Sequence, residues 1–441
     1  MGKRALALGG GGARGAYEVG VWKALREIGQ DRFDIITGTS VGALNGAVIA
    51  QGSYEDAVRF WSGVTTEKVL RIDLAENGEK EALSEHSLSV IRSFTREILR
   101  NRGADTAPLR EMLTACVDEA AVRASGTDFG LVTVSLPDGK GHGLFLPDIP
   151  EGKLIDYLMA SSAFFPAMQV QMIDGIPYVD GGYYDNVPAA MAAERGAEEI
   201  VAVDLKAPGL HRSIPVKGVR VIRIEPSWDL GPVLLFGHAY VERNITLGYF
   251  DTLRAFDQCD GVLYAFQKGE AAAYGDACRK RIFSLYETLR PEAVRPLGER
   301  AEPLKWRVMR VLRGLPWNGD APLAVGWMEN AGRIFGVSPL RKYTAREFYA
   351  AAKEICVKQP ALAFSELESW TGGETQRKDP TGMIRELLKT TDRRAIAGAF
   401  YEQIVLSLHD EAERRRLWAA ALLFPAEAAA GAYLACSYES L

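Results

Sequence analysis

Phe33-Asp34-Ile35-Ile36-Thr37-Gly38-Thr39-Ser40-Val41-Gly42-Ala43-Leu44-Asn45-Gly46-Ala47-Val48 places an apolar run, a glycine-flanked serine and a run of small residues in immediate succession. The pattern predicts a strand over 33–37, a sharp turn at Ser40 and a helix over 41–51. A serine on such a turn needs neighbours without side chains, so Gly38 and Gly42 are what a nucleophile elbow requires. A helix starting directly after it aims free N–H groups at any oxyanion formed there. The plain alternative is that Ser40 is only an N-cap, a common use of serine before a helix.

Toward the N-terminus, 4–8 is a short apolar run, 9–12 a glycine turn and 13–28 a segment with Ala16, Val19, Leu25 and Ile28 at helical spacing, closed by Gly29. Two strand-turn-helix units in succession imply a parallel sheet with right-handed crossovers. Gly10-Gly11-Gly12-Ala13-Arg14-Gly15 also spells a dinucleotide-binding fingerprint. That reading wants an acidic residue at the end of the second strand, where Gly38-Thr39-Ser40 stands instead. The glycines are therefore read as a source of backbone donors.

Toward the C-terminus, 54–123 reads as mainly helical with a charged surface loop at 76–85, followed by strands at 129–136 and 143–146. A helix at 154–163 precedes Tyr178-Val179 and Asp180-Gly181-Gly182; a helix at 189–195 and strands at 200–204 and 219–224 follow. The alternation fades after Pro226, and the remainder reads as helical. The fold class expected is α/β with a mainly parallel central sheet, divided into an α/β domain at 1–235 and a mostly helical region at 236–441.

Apolar residues at 47% and charged residues at 25% of the 441 are globular values. A formal net charge of −5 lacks the basic footprint of a nucleic-acid-binding protein, so no nucleic-acid partner is expected. The five cysteines are scattered and free of CxxC or metal spacing, which suits thiols in a reducing compartment. The most apolar segment, 417–435, is broken by Pro425 and Glu427, short of the roughly eighteen residues that span a membrane. A cytoplasmic protein with peripheral membrane contact at most is the consistent picture. The segment 304–313 alternates cations with apolar residues near Trp306 and Trp317; it suits a membrane interface or, more plainly, an amphipathic helix packed on the protein.

The three glycine motifs stand in a fixed order, with Ala160-Ser161-Ser162-Ala163 and Pro166 between the last two, and Asn186, Pro188 and Gly196-Ala197 after them. Together they resemble the patatin-like phospholipase family over about half the chain. The resemblance implies a three-layer α/β/α fold and a lipid acyl hydrolase with a Ser-Asp dyad. Ser40 is then the nucleophile, Asp180 its base, and the N–H groups of Gly10, Gly11 and Gly12 the oxyanion hole. Arg14 takes a basic position that contacts a substrate anion or forms a salt bridge, and Gly15, Gly38, Gly42, Gly181 and Gly182 shape the turns. Such chemistry requires no metal or other cofactor. Gly9 stands where many relatives have an acidic residue.

None of the five histidines lies in a recognisable motif. Asp180, near pKa ~3.9 when unperturbed, is a weak base unless burial beside Tyr178 and Val179 raises it. Asp-Gly is also a common turn pair, which is the bland reading of Asp180. Two other functions fit: acyl transfer to an acceptor other than water, weakened by Thr39 where related acyltransferases place histidine, and a catalytically silent lipid-binding module. Oligomeric state is not written in these motifs.

Overall fold

The two apolar runs that precede the glycine turns become the centre of a sheet. β1 (Lys3–Leu8) and β2 (Ile35–Thr39) pair in parallel, Ala5 opposite Ile35 and Leu8 opposite Gly38. Parallel pairing continues from β2 to β3 (Asp128–Ser135), from β1 to β7 (Ala197–Val203) and from β7 to β8 (Arg220–Ile224). Beyond β3 the sheet turns antiparallel: β4 (Lys140–Phe145) and β6 (Ile176–Asp180) both pair with β3, and β5 (Gln171–Ile173) with β6. The order is β5-β6-β3-β2-β1-β7-β8, with β4 branching from β3.

The computed structural model describes residues 2–69, 103–136, 138–292, 303–313, 323–359, 362–371, 388–389 and 391–436. It divides into two compact units, Met1–Phe256 and Asp257–Leu441. In the first, helices α1 (Ala16–Glu27), α2 (Val41–Ala50), α3 (Tyr54–Gly63), α4 (Thr66–Val69), α5 (Ala107–Cys116), α6 (Glu119–Ala124), α7 (Leu154–Ser161), α8 (Ala189–Glu194) and α9 (His238–Ala255) surround the sheet. The charged loop expected at 76–85 lies outside the described residues.

Alternation along β1 separates two cores. Leu6 and Leu8 pack with Tyr17, Leu25, Leu44 and Trp61 on one face. Ala5 and Ala7 meet Ala189, Ala192 and Ala193 of α8 on the other. Helices on both faces of a mostly parallel sheet give the three-layer α/β/α arrangement.

α9 stays with this unit because its backbone lies directly against α1. A Cβ on Gly20 would stand 1.8 Å from the Ile245 carbonyl oxygen, and one on Gly248 2.0 Å from that of Tyr17. The buried Tyr17 hydroxyl donates to Asp251 at 2.8 Å across the same contact. The division accordingly falls between Phe256 and Asp257, beyond the 235/236 boundary expected from the fading strand-helix alternation.

The second unit is helical: α10 (Glu270–Leu289), α11 (Pro303–Arg313), α12 (Leu323–Phe335), α13 (Ala345–Lys358), α14 (Phe364–Thr371), α15 (Arg393–Leu406), α16 (Glu411–Leu423) and α17 (Pro425–Ala435). It also holds a short parallel pair, β9 (Ala265–Phe266) and β10 (Lys342–Tyr343). The cation-rich segment falls in α11, where Leu304 and Leu312 are buried, Val308 packs on the unit's core, and Arg307 and Arg310 are exposed. Its apolar face is thus engaged within its own unit, while Trp317 lies outside the described residues. Among the described residues, no helix is long and apolar enough to cross a membrane.

Candidate active site

Ser40 follows the C-terminal end of β2 and precedes the first turn of α2, with φ 54° and ψ −127°. This is left-handed backbone that non-glycine residues rarely adopt, and such strain persists only where the surroundings hold it. Here the Ser40 N–H donates to the Ser161 hydroxyl at 2.9 Å, and that hydroxyl donates to the Val132 carbonyl at 2.7 Å. Tight packing does the rest: a Cβ on Gly42 would stand 2.4 Å from the Leu8 carbonyl oxygen. The first-turn N–H groups of α2 bring the positive end of the helix to the serine.

Register brings Asp180 to the same place. It faces Thr133 across β6 and β3, and the adjoining Val132 faces Thr39 across β3 and β2. The Asp180 side chain is 4% exposed, accepts the Gly182 N–H at 2.7 Å, and lies within the influence of the Ser40 side chain as a hydrogen-bond partner. Burial pushes its pKa up to about 6, against the lowering effect of those two partners. Thr39 donates to the Asp185 carbonyl at 2.7 Å, which fastens the chain after Asp180 to the elbow strand.

The glycine turn after β1 completes the floor. A Cβ on Gly10 would meet the Asn186 Oδ1 at 2.4 Å and the Ser40 Cβ at 3.2 Å, so only glycine permits this approach. The Gly10 N–H is already donated to the Asn186 carbonyl at 3.0 Å, and Asn186 Nδ2 donates back to the Gly10 carbonyl at 3.3 Å. The N–H groups of Gly11 and Gly12 have no protein acceptor among the described residues.

Ser40, Asp180, Gly182 and Gly10 to Gly12 all line one cavity of about 700 Å³. Its walls are apolar, with Leu44, Phe60, Trp61, Leu109, Phe164, Met168, Leu234 and Phe236 among them. Among the described residues no histidine lines it. No group of three or more His, Cys, Asp or Glu side chains among the described residues is placed to hold a metal ion.

Arg14 does not reach this cavity. Its guanidinium donates to the carbonyls of Gly231 at 2.8 Å, Leu205 at 3.2 Å and Lys206 at 2.7 Å, and approaches Asp229 at 4.0 Å. It braces the bases of two segments, 207–209 and 232–236, that form the cavity wall; of the two expected roles, salt bridge or anion contact, the structure shows only the long approach to the largely exposed Asp229.

Residues 6–193 match the family model described as patatin-like phospholipase. This stretch, less than half of the chain, forms a patatin-like phospholipase domain. The chain is 30% identical over 210 residues to patatin-like phospholipase domain-containing protein 7 of Mus musculus, covering 46% of this chain and 13% of the mouse protein. An uncharacterized NTE family protein of Mycobacterium tuberculosis (strain ATCC 25618 / H37Rv) is 29% identical over 201 residues, covering 46% of this chain and 48% of that one. The chain thus corresponds to a small part of the mouse protein and about half of the mycobacterial one. Among solved structures, VipD from Legionella pneumophila aligns over 94% of this chain and 91% of its own, at 13% identity and a TM-score of 0.34, too loose a likeness to bear on fold or activity.

Two further groups at the patatin-like site escaped sequence reasoning. Ser161 was visible only as part of a small-residue run, and its use as the clamp on the Ser40 N–H depends on where α7 ends. Glu18 was a lone carboxylate on the apolar side of α1. It is buried, accepts Asn45 Nδ2 at 2.7 Å, and through Asn45 joins Trp61 Nε1 at 2.9 Å in the cavity wall.

Proposed function

We propose that the first unit hydrolyses the acyl ester bond of a lipid, with Ser40 as nucleophile and Asp180 as general base. One observation carries this reading: a strained serine and a buried carboxyl share an apolar cavity whose described walls contain no histidine. As Ser40 Oγ forms its bond to the ester carbonyl carbon, Asp180 takes the hydroxyl proton. The carbonyl oxygen becomes an oxyanion, which Gly11 and Gly12 N–H are free to hold, Gly10 N–H being engaged by Asn186. Collapse breaks the carbon–oxygen bond to the alcohol, which departs with the proton from Asp180. Water then attacks the acyl carbon, gives a proton to Asp180 and releases the carboxylic acid as Ser40 Oγ recovers its hydrogen.

The raised Asp180 suits this role. With its pKa pushed up to about 6, it is ionised at neutral pH yet more basic than an exposed aspartate. The apolar walls suit an acyl chain, each buried methylene contributing about 0.8 kcal/mol, so KM falls as the chain lengthens. A fluorophosphonate probe tests the reading: it should label the wild type once, at Ser40, and leave Ser40→Ala unlabelled. A folded wild type that neither labels nor cleaves any ester in a series of headgroups and chain lengths would refute it.

A further inference from the structure

Single exposed apolar side chains are ordinary on a soluble surface, and a cluster around an apolar opening is not. Among the described residues of the first unit, the exposed large apolar side chains are Phe165, Met172, Ile176, Tyr183, Leu210 and Val216, all within 165–216. Three of them come together beside Asp180. The Tyr183 hydroxyl donates to the Phe165 carbonyl, and the Tyr183 ring stacks on Phe164 with centroids 6.0 Å apart. The Leu210 N–H donates to the Gly182 carbonyl at 2.9 Å, and the Leu210 carbonyl accepts the Asn186 N–H at 2.5 Å. Phe165 and Leu210 adjoin in sequence the cavity-lining residues Phe164, Pro166 and Gly209, while Tyr183 lines the cavity itself. The exposed side chains therefore mark the rim of the opening.

Basic side chains lie next to Leu210 in the chain. Lys206, His211 and Arg212 lie within four residues of Leu210, in a chain whose net charge is −5. Lys206 and Arg212 approach Glu225 and Glu194 at 3.6 and 3.4 Å, the cation more than a third exposed in each pair, so screening leaves these pairs weak.

We infer that Phe165, Tyr183 and Leu210 form a rim that seats the cavity mouth on a lipid surface carrying anionic headgroups, with Lys206, His211 and Arg212 facing those headgroups. The apolar side chains enter the interface while the cations stay at headgroup level. The inference rests on the lipid ester reading above, because it explains how an acyl chain reaches the cavity without crossing water.

The test uses the full chain carrying Ser40→Ala, so that no lipid is consumed, sedimented with vesicles of mixed phosphatidylglycerol and phosphatidylcholine. Leu210→Ser and Phe165→Ser should each lower vesicle affinity about tenfold, the effect of withdrawing one large apolar side chain from the interface. Vesicles of phosphatidylcholine alone should bind the parent more weakly. With Ser40 restored, Leu210→Ser should leave turnover of a monomeric short-chain ester unchanged and lower turnover of vesicle lipid about tenfold. Unchanged vesicle affinity in both variants, or equal affinity for phosphatidylcholine alone, overturns the inference. If no ester is cleaved by the wild type, the hydrolase reading falls, and vesicle affinity still decides for or against the rim.

Discussion

Asp180 and Glu18 in the first unit and Glu329 and Glu427 in the second are all buried carboxylates, held in opposite ways. Glu329 accepts the backbone N–H groups of Val262, Leu263 and Tyr264 at 2.7, 2.8 and 3.1 Å. Glu427 receives Arg393 Nε at 2.5 Å. Asp180 has one backbone donor and the Ser40 side chain, and burial pushes it up to about 6. Glu18 has Asn45 and one backbone partner, Gly9, and burial pushes its carboxyl up to about 8. Partners that satisfy a buried charge hold a fold together; a buried carboxyl left short of them keeps its basicity for another purpose.

The largest expected effect falls on the first unit. Ser40→Ala and Asp180→Asn should each lower ester turnover by at least about a thousandfold while the circular dichroism spectrum stays native. A folded Asp180→Asn chain that keeps its turnover would remove the distinction between the two kinds of carboxylate. In the second unit, Arg393→Ala strands the buried Glu427 carboxylate and should lower unfolding stability by about 3 kcal/mol, read by denaturant titration. Turnover of a soluble ester by the remaining folded protein should be unchanged. Loss of turnover in step with stability would show that the second unit serves the reaction as well.

A smaller effect separates the carboxylates by pH. Asp180 binds its proton more tightly folded than unfolded, so its contribution to stability is full below about pH 3.8 and is lost as pH rises through about 6. Asn at this position does not titrate. Asp180→Asn should therefore gain up to about 3 kcal/mol over the wild type between pH 4 and pH 7, measured by thermal melts. The same carboxyl should give wild-type kcat/KM an acid limb near pH 6. The smallest effect is expected at Arg14. Arg14→Lys loses the fork that spans three carbonyls and should cost about 1 kcal/mol of stability and a few-fold in kcat/KM, checked by melts and steady-state kinetics.

Local motifs made the elbow, the glycine turn and the strand-helix alternation of the first unit legible, because each depends on a few neighbouring residues. Strand ends shifted by two or three residues, as at Ile35–Thr39, since tertiary pairing decides where a ladder stops. The three-residue β5 carries too little periodicity to be seen. The place of α9 was hidden for another reason: its fit against α1 depends on Gly20 and Gly248 meeting the opposing backbone, a match between segments more than two hundred residues apart.

The candidate site divides along the same line. Sequence by itself determined that Ser40 follows a strand, lies between glycines and starts a helix, and that Asp180 opens a glycine turn, because chain geometry over a few bonds requires those residue types. Only tertiary structure decided that β3 stands between β2 and β6 and so carries Asp180 to the cavity floor. Only there does Gly10 give its N–H to Asn186, and only there does Arg14 turn from the cavity to brace its wall. Burial, hydrogen-bond partners and pKa depend on what packs around a group, and most of those neighbours come from elsewhere in the chain.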